Sequence, residues 1–98
     1  MTLAELTEKM KEGAGSKQGF GNTVKFSTPD GAIYIDGKQS PPVISNDDGA
    51  ADCTIKMALS DLIDLMGGKL DGMTAFMTGK LKVEGDMGVA MKLQSILR

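Results

Sequence analysis

An α+β sandwich, one sheet with helices on one face, is what this chain of 98 residues predicts, and three observations carry it. Four segments alternate apolar and polar residues with strict period two, so each is a strand with one dry face and one wet face. Other segments space apolar residues three and four apart between capping residues and glycines, the pattern of helices that bury one side. The order of the pieces (helix, three strands, strand, two helices, strand, helix) supplies one sheet and enough helix to cover its dry face. A second domain would be too small to bury its own core, so residues 1–98 are read as one domain.

The first helix comes from "TLAELTEKM": Leu3, Leu6 and Met10 share a side, Thr2 and Glu5 match a capping box, and Gly13 marks the end. "GAGSKQGFG" is a glycine-rich connector without a phosphate-loop pattern. In "NTVKFST" Val24 and Phe26 oppose Thr23, Lys25 and Ser27, and in "AIYID" Ile33 and Ile35 oppose Tyr34 and Asp36. "PPVIS" is a weaker strand behind a proline pair. In "DCTIKMA" Cys53, Ile55 and Met57 oppose Asp52, Thr54 and Lys56, and in "KLKVE" Leu81 and Val83 oppose Lys80, Lys82 and Glu84. The turns "PDG", "DGK" and "NDDG" predict short reversals and a meander, with Asp47 and Asp48 serving the last turn. "SDLIDLMGG" predicts a helix capped by Ser60, with Leu62 and Met66 on one side and a stop at Gly67 and Gly68. "DGMTAFMTG" predicts another, capped by Asp71, with Met73, Phe76 and Met77 together and a stop at Gly79.

Composition narrows the function. Eleven Lys plus Arg against 13 Asp plus Glu leave no excess of positive charge for phosphate backbones, so nucleic acid is not an expected partner. With no His and one Cys there is no imidazole base for a nucleophile and no His- or Cys-based metal site, so neither an enzyme nor a cofactor is expected. Cys53, on a dry face without a basic neighbour, reads as a small buried apolar residue and suits a reducing cytoplasm. The N-terminus lacks a signal-peptide pattern and no stretch reaches the roughly 20 apolar residues of a membrane span, so a cytoplasmic location is expected. Lys25, Lys56, Lys80 and Lys82 share the wet face with Asp36, Asp52 and Glu84, which reads as a solvated face.

Methionine is the compositional oddity. Five of the eight, Met66, Met73, Met77, Met87 and Met91, fall in the last third. In the final helix, "DMGVAMKLQSILR", a step of about 100° per residue puts Val89, Ala90, Leu93, Ile96 and Leu97 in one stripe, with Met87 and Met91 beside it near Gln94 and Arg98. Either the two methionines are edge packing, or they face a second, softer space. Unbranched thioethers suit the second reading, because an apolar hole must be filled, wetted or closed by its walls. A rigid empty hole of ~300 Å³ at ~24 cal/mol per Å³ would cost about 7 kcal/mol, against a total stability of ~5–15 kcal/mol.

The run "ADCTIKMALSDLIDLMGGKLDGMTAFMTGKLKVEGDMGVAMKLQSIL", residues 51–97, resembles the sterol carrier protein 2 domain, the non-specific lipid-transfer domain. The resemblance rests on "ADCTI", "M-x-x-S-D-L", the two "GKL" pieces after helices, "AF-x-x-G-K-L-K-V-x-G-D-M" and "AMKLQ" in that order. It implies a five-stranded mixed sheet under helices that enclose an apolar tunnel for fatty acids, fatty acyl-CoA esters, phospholipids or sterol-like molecules. It implies non-catalytic lipid carriage, with transient membrane contact and acyl-CoA-using enzymes as partners. It places Leu62, Met66, Met73, Phe76, Met77, Met87, Met91 and Gln94 around the tunnel. A lone domain without a peroxisomal C-terminal tripeptide is expected to be a bacterial cytoplasmic member. The alternative is an interaction or dimerisation module whose tunnel has collapsed.

Overall fold

The computed structural model describes residues 1–15 and 18–96, with the backbone alone described at 14 and 92–96. Helix α1 (Leu3–Ala14) leads into strands β1 (Thr23–Thr28), β2 (Gly31–Asp36) and β3 (Val43–Ser45). Strand β4 (Cys53–Met57), helices α2 (Leu59–Met66) and α3 (Gly72–Met77), strand β5 (Leu81–Gly85) and helix α4 (Met87–Ile96) follow. The sheet order is β3-β2-β1-β4-β5, with β1 and β4 parallel and every other pair antiparallel, so the sheet is mixed.

Register carries the alternation across all five strands. Ile35 lies beside both Ile44 and Val24, Val24 beside Cys53, and Phe26 beside Ile33 and Ile55, which in turn lies beside Val83. Apolar residues therefore meet apolar residues along these rows of the dry face, because a one-residue slip would turn a whole strand inside out. Leu6 of α1, Leu62 of α2, Ala75 of α3 and Val89 of α4 all join the core on this dry face. Burying a leucine such as Leu62, which has no exposed surface, contributes about 1.5–3 kcal/mol.

The expected capping box of α1 is complete: Glu5 N donates to Thr2 Oγ1 at 3.2 Å and Thr2 N to Glu5 Oε1 at 3.1 Å. Three local expectations need correction. The helix α2 starts after Ala58, not at Ser60, and has no side-chain cap; Leu59, packed against the core, fixes the start directly behind β4. The "NDDG" segment makes no hairpin, because β3 is not beside β4. Residues 46–52 instead cross β2 and β1 to bring β4 parallel to β1. Asn46 Nδ2 leaves β3 by donating to Ala32 O at 2.9 Å and to the buried Thr7 hydroxyl of α1 at 3.0 Å. Further on, Lys25 Nζ sits 3.0 Å from Asp48 Oδ1, and Tyr34 Oη donates to Ala50 O at 2.9 Å. Lys25, expected on a solvated face, is thus covered by the crossover, its side chain only 16% exposed.

Candidate functional site

Both glycine stops work by the same mechanism. Gly68 and Gly79 each have φ +77, the left-handed conformation that glycine adopts without strain. After α2, Lys69 N donates to Asp64 O at 2.8 Å and Gly68 N to Leu65 O at 3.3 Å; after α3, Lys80 N donates to Ala75 O at 2.9 Å and Gly79 N to Phe76 O at 3.3 Å. These are paired Schellman closures. Each aims the leucine that follows the lysine, Leu70 or Leu81, back towards the dry face.

Between the sheet and the helices lies a cavity of about 670 Å³. Its floor is one row of the register, Phe26, Ile55 and Val83, with Leu81 beside it. One wall is Leu65 and Met66 of α2 with Gly67, Gly68 and Leu70 just behind it, and a second is Met73 and Phe76, three apart on α3. The third is Met87, Ala90 and Met91, which helical spacing puts on a single side of α4. Asp71 is the only ionisable side chain among the described lining residues, and it caps α3 by accepting from Thr74 N at 3.2 Å. At ~24 cal/mol per Å³, a sealed, empty and rigid space of this size would cost about 16 kcal/mol, more than the ~5–15 kcal/mol that holds a domain together. It stands open to solvent instead: Met73 is 51%, Phe76 46%, Met87 48% and Met91 68% exposed. The space is not collapsed.

Of the residues expected around a tunnel, the structure brings together Met66, Met73, Phe76, Met87 and Met91. It does not bring Leu62 or Met77. Leu62 is fully buried in the core between α2 and the sheet, and Met77 is 78% exposed on the outer side of α3. The Gln94 side chain, like those of Leu93 and Ile96, lies outside the described residues, as do Leu97 and Arg98 entirely. Sequence reasoning missed Phe26, Ile55, Leu65, Leu70, Leu81, Val83 and Ala90. The repeated "GKL" was the available signal for Leu70 and Leu81, and the dry-face alternation for Phe26, Ile55, Leu81 and Val83.

Cys53 sits in the core beside this floor, and burial pushes its thiol pKa up, with the negative charge of Asp86 adding to the effect. Asp86 itself caps α4, accepting from Gly88 N at 2.8 Å. Among the described residues no group of three or more His, Cys, Asp or Glu could hold a metal. No described helix is long and apolar enough to cross a membrane.

A mixed five-stranded sheet with helices on one face and an open apolar cavity between the layers defines the class: an α+β domain built around an internal space. The sequence gives the family. Residues 3–98 match the SCP-2 sterol transfer family, and the chain belongs to it. Bovine sterol carrier protein 2 is 42% identical over 106 residues, a match covering 98% of this chain and 19% of that protein's length. The solution structure of the sterol carrier protein domain 2 of Helicoverpa armigera is 30% identical, with a TM-score of 0.67, covering 98% of this chain and 80% of that one. The solution structure of palmitated SCP2L2 from Aedes aegypti has a TM-score of 0.75 at 20% identity, covering 100% of this chain and 96% of that one.

Proposed function

We propose that this domain binds and carries lipid, taking the hydrocarbon chain of a fatty acid, acyl-CoA ester, phospholipid or sterol-like molecule into the cavity. The single observation that carries the reading is the lining: apart from Asp71, the described lining residues are all aliphatic, thioether, phenyl or glycine, and the volume falls inside the ~300–1,000 Å³ of ligand pockets. Family membership and the palmitate held by the Aedes relative support it. Met66, Met73, Phe76, Met87 and Met91 are assigned to contact the chain, their three-bond side chains adapting to its shape. The one carboxylate of the lining is occupied as a helix cap, which supports carriage without chemistry. Transient membrane contact, delivery to acyl-CoA-using enzymes and a cytoplasmic location complete the proposal.

The test is displacement of a fluorescent fatty acid from delipidated protein by a panel of acyl chains and acyl-CoA esters. Saturable, stoichiometric displacement that strengthens with chain length is expected. Absence of saturable uptake, or turnover of the thioester above the buffer rate, refutes the reading.

A further inference from the structure

Resting on that reading, we propose that the exposed part of α3, from Met73 and Phe76 at the cavity wall outward to Met77, is a docking surface for a lipid bilayer carrying anionic headgroups. Met73, Phe76 and Met77 would enter the acyl boundary, and Lys69 and Lys80 would meet the headgroups. Ala75, with no exposed surface, anchors α3 to the core, while Met73, Phe76 and Met77 are left 51%, 46% and 78% exposed. Three large apolar side chains on a six-residue helix form the kind of contiguous patch that marks an interaction surface. Met73 and Phe76 also line the cavity, so a chain leaving a bilayer beneath α3 would meet hydrocarbon from the interface to the floor.

Charge selects the occupant. Lys69 and Lys80 directly follow the glycines before and after α3, are exposed, and form no ion pair among the described residues. Lys69 stands in the turn before α3 and Lys80 in the turn after it. Of the nearby carboxylates, Asp71 caps α3 and Glu84 pairs with Lys56 at 3.1 Å. The chain as a whole carries −2, so attraction to an anionic surface has to be local. A second copy of the chain fits less well, because a two-fold contact through α3 would gather the same lysines on both sides.

The experiment sediments the protein with sucrose-loaded phosphatidylcholine vesicles, with and without phosphatidylserine, and measures fluorescent fatty acid binding without vesicles in parallel. Wild type is expected to pellet with the anionic vesicles. Met77→Asp should weaken this at least tenfold, and the double variant Lys69→Ala/Lys80→Ala by about fivefold per lysine, while Lys38→Ala, far from the patch, leaves it unchanged. The chain has no Trp, so Met77→Trp supplies a lone indole whose emission should shift to the blue on anionic vesicles. Met77, Lys69 and Lys80 do not line the cavity, so these variants should bind fatty acid as wild type does. Equal pelleting of wild type and Met77→Asp, a lysine variant that pellets fully, an unshifted indole, or a change in self-association caused by Met77→Asp in light scattering overturns the docking proposal. Failure of wild type to bind fatty acid in the vesicle-free arm sinks the carrier reading instead.

Discussion

Replacing Ala90 with Phe should shorten the chains that this protein holds best. Ala90 lies on α4 between Met87 and Met91 and lines the cavity opposite the Phe26–Ile55–Val83 row. It is partly buried and packs against the core, so a larger side chain there enters the cavity without leaving α4. A phenyl ring in that position would displace roughly three methylenes of a long guest, at ~0.8 kcal/mol each. The loss is then about 2.4 kcal/mol, or about sixtyfold in affinity, for chains long enough to reach α4. Shorter chains that fit beside the ring should lose little. Calorimetric titration of saturated fatty acids from octanoate to octadecanoate would give the two profiles. The expected result is a wild-type affinity that climbs with length and a variant that levels off several carbons earlier. A uniform loss at every length, or none at octadecanoate, would refute the placement of the chain against α4.

Gly85→Ala should destabilise the fold by about 2–3 kcal/mol in urea titration, because a residue at φ +94 is strained there and its Cβ would come within 2.5 Å of Asp52 O. Leu62→Ala should cost about 2–5 kcal/mol of stability yet leave the chain-length profile of the folded protein unchanged, since Leu62 belongs to the core and not to the lining. Asp52 accepts from Thr23 N at 3.0 Å and from Asn22 Nδ2 at 3.4 Å, and these bonds, the backbone one foremost, lower its carboxyl pKa. A folded pKa below the unfolded one means that this contribution to stability is complete above the ordinary carboxylate range. It is lost as pH falls through the depressed value. Urea midpoints followed into acid should therefore decline less steeply for Asp52→Asn than for wild type.

How much was legible in the sequence follows from which interactions are local. Period two fixed the dry and wet faces of β1, β2, β4 and β5, because alternation is a property of a strand by itself. The capping box of α1 and both glycine closures were equally readable, since Thr2 with Glu5, and Gly68 or Gly79 with the helix before it, act within a few residues. The crossover at residues 46–52 was not, because "NDDG" suits a tight turn and only the pairing of β4 with β1, set by long-range packing, overrides it. The site divides in the same way. Helical spacing put Met87 and Met91 beside the core stripe and Met73 with Phe76, but the same spacing grouped Met77 with them. Which side of α3 meets the cavity is decided by Ala75 docking on the core. Leu62 shared a side with Met66, yet one sits under α2 and the other at its open end, a difference of depth that periodicity does not encode. Phe26, Ile55 and Val83 were read as dry-face residues, but the part of that face left uncovered depends on where α2, α3 and α4 stop.

The eight methionines offer a direct measurement of the central claim, that a hydrocarbon chain occupies this cavity. With ¹³C-methyl methionine and palmitate added to delipidated protein, proton contacts between ligand methylenes and methionine methyls can be read in solution by NMR. The account predicts contacts to Met66, Met73, Met87 and Met91, which line the cavity, and none to Met1, Met10, buried Met57 or outward-facing Met77. Contacts confined to Met77 and Met1, or saturable binding that leaves the four lining methyls unmoved, would contradict it.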